Sequence, residues 1–275
     1  MHRSVLVQPG LAAWTSHIEA RYETLEATRH RDGPVAASRL VSPGQRFVPT
    51  ASSFTIGECF AGENLNALVL AILAGPAGGW IRNELNTRIA CDVDQSWVRR
   101  QYAPQNYPPW HAPHGWHQDG ALGFDFSSHG DREFPPGAVL SMVTCWIALT
   151  PCGADAPGLE FITRRLKGLC APAELTEASV GARFAAQEFC RPMLAAGDAL
   201  SFRGDLLHRT HVIPAMTRNR TSLELRFFPA ESLPPRLKGD LFLPLVSPQS
   251  CRGRDALKMP VANRGVQPAP RIKRR

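Results

Sequence analysis

The sequence predicts a mainly β fold, an antiparallel jelly roll or barrel with helices attached to it. Two observations lead to this prediction. From about residue 90, short runs of strand-forming residues alternate with turns at Pro and Gly, which is typical of an all-β barrel or sandwich. Before that point, apolar residues recur at helical spacing over 11–30, and a second helix is predicted near 64–73.

The helix over 64–73 is expected to end at Gly75-Pro76, because this dipeptide marks a helix stop. The helix over 11–30 has charged residues between the members of its apolar face, which are Leu11, Trp14, Ile18, Tyr22 and Leu25.

The strands are short, and most are bounded by a turn dipeptide or a proline. Residues 31–52, by contrast, are rich in Gly, Pro and Ser and are predicted as loop. The predicted strands are 96–102, 138–150, 159–163, 199–202 and 221–228.

The same pattern divides the chain into three parts. Residues 1–94 are predicted to form a mostly helical N-terminal part that packs on the core. Residues 95–235 form the β core, and residues 236–275 form a Pro-rich, basic tail that is poorly ordered toward its end.

Composition points to a cytoplasmic protein. A chain of 275 residues fits one large domain, or a core with attached helices. No run of about 18 apolar residues occurs, so we predict no transmembrane helix, and the N-terminus lacks the apolar stretch of a signal peptide. The seven cysteines are odd in number and never spaced Cys-x-x-Cys, which indicates reduced thiols.

The net charge of +7 comes from one end of the chain. Residues 252–275 hold eight Lys or Arg residues against Asp255 alone, a balance of +7. The other 251 residues carry 23 positive and 23 negative charges. This distribution favours a solvated basic tail over a nucleic-acid-binding body.

A possible metal site is formed by His117-Gln118-Asp119 and a distant histidine, His208. Residues i and i+2 of an extended segment point to the same side, so His117 and Asp119 can reach one ion. Two imidazoles and one carboxylate are the ligand set of the facial triad that holds non-haem Fe(II) and leaves positions open.

Other histidines are weaker candidates. The spacing of His111, His114 and His117 suggests a zinc cluster, but Pro113 and Gly115 argue against the helix that would align them. We interpret His111 and His114 as loop residues at the mouth of the site. His211 competes with His208, but residues three apart on a strand face opposite sides, so only one can serve.

Several segments, taken in order, resemble the phytanoyl-CoA dioxygenase family of Fe(II)- and 2-oxoglutarate-dependent oxygenases. The resemblance covers roughly residues 95–230. It is carried by Trp116-His117-Gln118-Asp119-Gly120, Cys145-Trp146-Ile147-Ala148-Leu149-Thr150, Pro157-Gly158-Leu159-Glu160-Phe161-Ile162, Gly197-Asp198, His208-Arg209-Thr210 and Arg220-Thr221-Ser222-Leu223-Glu224-Leu225-Arg226.

The resemblance implies a double-stranded β-helix core, the cupin-like form of the jelly roll, and Fe(II) bound by His117, Asp119 and His208. It also implies that Arg220, twelve residues after His208, pairs with the far carboxylate of 2-oxoglutarate, since a guanidinium matches a carboxylate in plane. Thr210 and Gln101 are further candidates for cosubstrate contacts. Arg226 has the same strand parity as Arg220 and is its alternative.

The resemblance also bears on the reaction. Related halogenases replace the carboxylate ligand with a small residue, so Asp119 favours hydroxylation. Where relatives commonly have Gly-Ser-His, this chain has Thr163-Arg164-Arg165-Leu166, which affects substrate or lid contacts more than the metal.

The prediction is therefore a dioxygenase that uses Fe(II), 2-oxoglutarate and O2 to hydroxylate a small-molecule substrate, with release of succinate and CO2. Two alternatives stay open. One is a non-redox, metal-binding cupin-like barrel, either an isomerase or a binding module, which needs no carboxylate clamp. The other is a nucleic-acid-binding protein or an oxygenase acting on nucleic acid, which should carry basic residues and aromatic platforms on its body.

Overall fold

Two antiparallel β-sheets form the core, and helices cover one of them. The computed structural model describes residues 1–2, 4–6, 10–32, 53–60, 63–93, 95–107, 111–121, 138–232 and 242–245. Within these ranges the helices are α1 (Gly10–Asp32), α2 (Ile56–Cys59), α3 (Glu63–Ala74), α4 (Pro76–Leu85) and α5 (Glu177–Arg183).

The structure has a strand in each of the five segments that the sequence predicts as strands. It also has short strands that the sequence did not indicate. In chain order they are β1 (Ser53–Thr55), β2 (Ile89–Asp92), β3 (Trp97–Gln101), β4 (Val143–Ala148), β5 (Gly158–Ile162), β6 (Phe189–Cys190), β7 (Ala199–Arg203), β8 (His208–His211), β9 (Arg220–Pro229) and β10 (Phe242–Leu245).

The larger sheet is built around β9. Strand β4 pairs with one edge of β9, and β3 and then β2 follow each other along the opposite edge. The register places Gln101 opposite Arg220, and Trp97 and Trp146 on either side of Glu224. Strand β7 extends the sheet beyond β4, while β1 pairs with β3 and β10 with β2.

The smaller sheet has the order β6-β5-β8, and residue His117 forms a bridge to His208 at its free edge. Because side chains alternate along a strand, His208 and Thr210 face the interior between the sheets, and Arg209 and His211 face outward. Two facing antiparallel sheets with this connectivity are the jelly roll that the strand pattern predicts, so the fold class is confirmed.

The outer face of the larger sheet is apolar and packs against the helices. Leu223, Leu225 and Phe227 of β9 are fully buried in one cluster with apolar residues of α1, α3 and α4. Burying each such side chain contributes about 1.5–3 kcal/mol. The alternate residues of β9, including Arg220 and Arg226, consequently face the interior between the sheets.

Helix α4 was not predicted from the sequence. The sequence predicts that the helix near 64–73 stops at Gly75-Pro76, and α3 does end at Ala74, but α4 begins at Pro76. Proline is well tolerated as the first residue of a helix, since its missing N–H would have no helical partner there. Gly78 allows the sharp turn, because a Cβ at this position would lie 1.8 Å from the carbonyl oxygen of Leu73.

Among the described residues, no single helix has the length and hydropathy needed to cross a membrane. The required length and hydropathy are found only when Leu65–Ala74 and Pro76–Leu85 are taken together, and this pair is bent by 85°.

The N-terminal part predicted for 1–94 contains α1 to α4 and also supplies β1 and β2 to the larger sheet. The predicted loop over 31–52 lies outside the described residues beyond Asp32. So does the predicted tail over 236–275, apart from β10.

Candidate active site

Three side chains with metal-binding atoms meet inside the barrel. One ligand atom from each of His117, Asp119 and His208 lies within 4.8 Å of the others, and no other such group occurs in the described ranges. The main chains of His117 and His208 exchange two hydrogen bonds, of 2.9 and 3.0 Å, which fixes the two histidines side by side. Asp119 follows two residues later, at the start of a 3₁₀ turn, and is buried.

Both histidines present the same nitrogen to the site. Nδ1 of His117 lies 2.7 Å from the carbonyl oxygen of Gly115, and Nδ1 of His208 lies 3.0 Å from that of Leu206. A carbonyl oxygen only accepts, so Nδ1 carries the proton in each ring and Nε2 keeps its lone pair for a metal. Burial, and then the neighbouring His208, lower the pKa of His117 to about 3, so its ring is neutral near pH 7.

Asp119 is held by a different partner on each oxygen. Thr144 on β4 donates its hydroxyl to Oδ2 at 2.5 Å, and Arg226 on β9 donates Nη2–H to Oδ1 at 2.7 Å. Burial alone would raise the pKa of Asp119, but Arg226, the two ligand histidines and the Thr144 hydrogen bond together hold it below its ordinary value. The carboxylate is therefore ionised and fixed in orientation. Arg226, the alternative to Arg220 for a cosubstrate contact, is engaged by Asp119.

Arg220 lies in the same cavity and has little to neutralise it. Its side chain is fully buried, and its guanidinium donates one long hydrogen bond, of 3.4 Å, to the carbonyl oxygen of Gly158. Its Nε–H has no hydrogen-bond partner, and no carboxylate of the described residues forms an ion pair with it. Burial consequently lowers the pKa of Arg220. A buried, unpaired cation is costly, so this group fits an anionic ligand.

The lining of the cavity divides into an apolar and a polar wall. Trp146, Leu159 and Phe202 supply the apolar wall, and the guanidinium of Arg220 lies 5.0 Å above the ring of Trp146. The other lining residues are Arg99, His114, His117, Asp119, Thr144, His208, Thr210, Arg220 and Glu224.

The remaining candidates from the sequence lie in different surroundings. Thr210 lines the cavity, whereas Gln101 does not and hydrogen-bonds instead to Nε2 of His111 at 2.5 Å. His114 lines the cavity, and its Nε2 accepts a 2.8 Å hydrogen bond from Arg99. His211 lies on the outward face, with Nδ1 3.9 Å from Glu160. The roles of Thr210 and Gln101 in cosubstrate binding stay predictions.

Sequence reasoning missed three residues near the ligands. Thr144 donates to Asp119, and the side chain of Gln118 hydrogen-bonds to main-chain groups elsewhere in the chain. Arg99 forms a buried 2.9 Å ion pair with Glu224 on the cavity wall. Strand parity alone could have placed Thr144, Arg99 and Glu224 on inward faces. Their hydrogen-bond and ion-pair partners could not be predicted, because these depend on the register of the paired strands.

Residues 79–213 match the family model described as phytanoyl-CoA dioxygenase (PhyH). Over this segment, which is 135 of its 275 residues, the chain is similar to the phytanoyl-CoA dioxygenase family of Fe(II)- and 2-oxoglutarate-dependent oxygenases, in agreement with the sequence motifs. The matched segment of this PhyH-like chain contains all three of His117, Asp119 and His208, while Arg220 lies beyond it. No match is found among the curated proteins.

Solved structures share the fold of this PhyH-like chain at low sequence identity. The carbocyclase SnoK from nogalamycin biosynthesis, described as non-heme and alpha ketoglutarate dependent, is 16% identical over 90% of each chain, with a TM-score of 0.53. HygX from Streptomyces hygroscopicus, with nickel and 2-oxoglutarate bound, is 10% identical over 88% of this chain and 90% of its own, with a TM-score of 0.51.

The epimerase SnoN, in complex with Fe3+, alpha ketoglutarate and nogalamycin RO, is 15% identical over 90% of this chain and 91% of its own, with a TM-score of 0.50. At these identities the similarity establishes the fold alone, which agrees with the double-stranded β-helix that the family resemblance implies.

Proposed function

We propose that this protein is an Fe(II)- and 2-oxoglutarate-dependent dioxygenase that hydroxylates a small-molecule substrate and releases succinate and CO2. The observation that carries the proposal is the pairing of two features in one cavity. A preorganised set of two imidazoles and an ionised carboxylate lies beside a buried guanidinium with which no described carboxylate forms an ion pair. A bound metal would explain the ligand set, and a dicarboxylate that contacts both the metal and Arg220 would explain the buried guanidinium.

The residues fit these two ligands by their chemistry. Nε2 of His117, Nε2 of His208 and a carboxylate oxygen of Asp119 would hold Fe(II) and leave coordination positions open. Arg220 would bind the far carboxylate of 2-oxoglutarate, with the hydroxyl of Thr210 as a further donor. When bound, iron supplies the activation of O2 that is coupled to oxidative decarboxylation of 2-oxoglutarate.

The protein's own contribution is positioning and exclusion of water. The ring of Trp146 lies against the Arg220 guanidinium, and this apolar surface strengthens a charge pair formed there because the local dielectric is low. Arg226 and Thr144 hold Asp119 in one orientation, so the carboxylate does not swing between binding modes. Both effects keep the ligands in place before a substrate arrives.

Hydroxylation is proposed as the outcome because Asp119 is a carboxylate and not a small residue. Solved structures with this fold include proteins described as an epimerase and a carbocyclase, and these reactions are the alternatives on the same site.

The described cysteines are all free and five of the six are buried, which supports the proposed cytoplasmic location.

Binding of 2-oxoglutarate and of pyruvate to Ni(II)-loaded protein tests the proposal. Pyruvate keeps the 2-oxo acid that chelates the metal but lacks the far carboxylate. The wild type should prefer 2-oxoglutarate by about 10–100-fold, since a charge-assisted hydrogen bond contributes about 1.5–3 kcal/mol. In Arg220→Ala this preference should vanish, while pyruvate binding persists.

Arg218→Ala is the matched control. Arg218 is exposed two residues before Arg220 and takes no part in the cavity, so its replacement should leave the preference intact. A wild type that binds Ni(II) but does not distinguish the two acids would contradict the proposal. The non-redox metal-binding barrel would then be the better account.

A further inference from the structure

Gln118 stands between the two ligands His117 and Asp119 and is buried. As the middle residue of an extended i, i+2 pair, it faces away from the metal side. Its Nε2 donates to the carbonyl oxygens of Gly168, at 3.0 Å, and Asp205, at 2.8 Å, and its Oε1 accepts the N–H of Cys170 at 2.7 Å. One side chain thus joins the first two ligands to two other parts of the chain.

One of those parts leads to the ligand His208, and the other leads to helix α5. Asp205 belongs to the turn between β7 and β8, three residues before His208. Gly168 and Cys170 belong to the connection that leads from β5 to α5. We define residues 168–183, which end with α5, as the docking segment.

A second contact joins the docking segment to both histidine-bearing segments of the chain. Glu177 of α5 accepts a 3.3 Å hydrogen bond from Nε1 of Trp116 and a charged hydrogen bond from Arg209. Trp116 immediately precedes His117, and Arg209 immediately follows His208. The guanidinium of Arg209 also lies 4.8 Å from the ring centre of Trp116.

The main chain already ties the ligand-bearing segment to β8 and to the β7–β8 turn, through hydrogen bonds of His114, His117 and Gly120. His117 forms an isolated bridge to His208 and not a long ladder. The Gln118 side chain adds three hydrogen bonds, one buried and two partly buried, that join the first two ligands to other parts of the fold.

We propose that the docking segment sets the geometry of the metal site, with Gln118 as the principal positioning residue and Glu177 as the second contact. This inference rests on the proposed function only in requiring that His117, Asp119 and His208 bind a divalent metal. Groups that orient metal ligands typically change metal affinity by about 10–100-fold when they are replaced.

Titration of the metal-free protein with Co(II), followed by its visible absorption, tests this role. Gln118→Met keeps the side-chain volume and removes all three hydrogen bonds. It should weaken Co(II) binding by about 10–100-fold and alter the visible bands, because the ligand geometry changes. Glu177→Gln should cause a smaller loss, since Glu177 is 65% exposed, and Lys167→Ala, exposed just before the segment, should cause none.

Should Gln118→Met not fold, Gln118→Glu keeps the acceptor for Cys170 and removes both donated hydrogen bonds, and the same loss of affinity is expected of it. A folded Gln118 variant with the affinity and spectrum of the wild type would show that Gln118 contributes stability alone, which overturns the inference. A wild type that fails to bind Co(II) overturns the proposed function as well, so the two failures are distinguishable.

Discussion

At the scale of single residues, Asp119 shows how the site is tuned. One oxygen is held by a neutral hydroxyl and the other by a cation, so the carboxylate cannot rotate without breaking one of two buried hydrogen bonds. A preorganised ligand loses less freedom when the metal binds. The arrangement therefore favours metal binding through orientation, while Arg226 keeps the carboxylate ionised.

Thr144→Val tests this orientation. The change preserves shape but removes the hydroxyl that donates to Asp119, so it should lower metal affinity by about 10-fold or more and the free energy of unfolding by about 1–3 kcal/mol. Metal titration and urea unfolding measure the two effects. Thr163→Val, which removes an exposed hydroxyl contact to Glu188, should change neither by a comparable amount, and equal losses in both variants would refute the assignment.

Buried histidines should make the metal-free protein sensitive to acid. Burial lowers the pKa of His117 to about 3, and burial followed by the charge of Arg220 lowers that of His111 to about 4. Below about pH 6.5 the unfolded chain takes up protons on these rings and the folded protein does not. Stability should therefore fall as the pH drops from about 7 toward 4, by at most about 1.4 kcal/mol per pH unit for each histidine.

His111→Gln isolates one such contribution without touching a metal ligand. Urea unfolding between about pH 7 and pH 5 should show a shallower dependence on pH in this variant than in the wild type. An unchanged dependence would mean that His111 is not kept neutral by the fold.

At the scale of elements, the 3₁₀ turn that begins at Asp119 packs against the turn between β7 and β8. The N–H of Gly120 donates to the carbonyl oxygen of Gly204 at 2.8 Å. A Cβ on Gly120 would lie 2.9 Å from that oxygen and 2.8 Å from a methyl of Val139. Only glycine allows the Asp119 turn to approach this closely.

Gly120→Ala should consequently destabilise the protein by about 1–3 kcal/mol through overpacking and should weaken metal binding. Thermal unfolding and metal titration measure this. Gly115→Ala, on the other side of the ligand pair, meets no atom within 4 Å and should be close to neutral. Comparable losses at both glycines would point to chain flexibility as the cause, and not to close packing.

Elements differ in how far the sequence determines them. Strands β4 and β9 were predictable because strand-forming residues run up to a proline in each. The set of His117, Asp119 and His208 was predictable because its spacing and order are specific. Helix α4 was missed because a proline that can end one helix can also begin the next. The partners of Gln118 lie 50 and 87 residues away, and only the packed structure brings them together. Parity identified Arg226 as inward-facing but could not show that Asp119 engages it.

At the scale of the whole molecule, the excess positive charge and the candidate site belong to different parts of the sequence. The cavity lies between the two sheets, whereas the excess of +7 comes from residues 252–275. A small-molecule oxygenase does not need that excess for turnover, whereas a nucleic-acid enzyme would use it to attract its polyanionic substrate.

Removal of residues 252–275 brings the formal net charge from +7 to zero. We expect retention on heparin to fall and metal-dependent consumption of 2-oxoglutarate to stay the same. Stimulation of that consumption by single-stranded nucleic acid in the full chain, lost on truncation, would favour the alternative of an oxygenase acting on nucleic acid.

The most direct measurement of the central claim is an anaerobic titration of the metal-free protein with Fe(II) and then 2-oxoglutarate, followed by visible absorption. If the triad and Arg220 hold one chelated cosubstrate, a weak charge-transfer band should appear in the wild type. The band should be weaker in Arg220→Ala at the same 2-oxoglutarate concentration. A wild type that binds Fe(II) but gives no band would contradict the claim that this cavity joins a metal to 2-oxoglutarate.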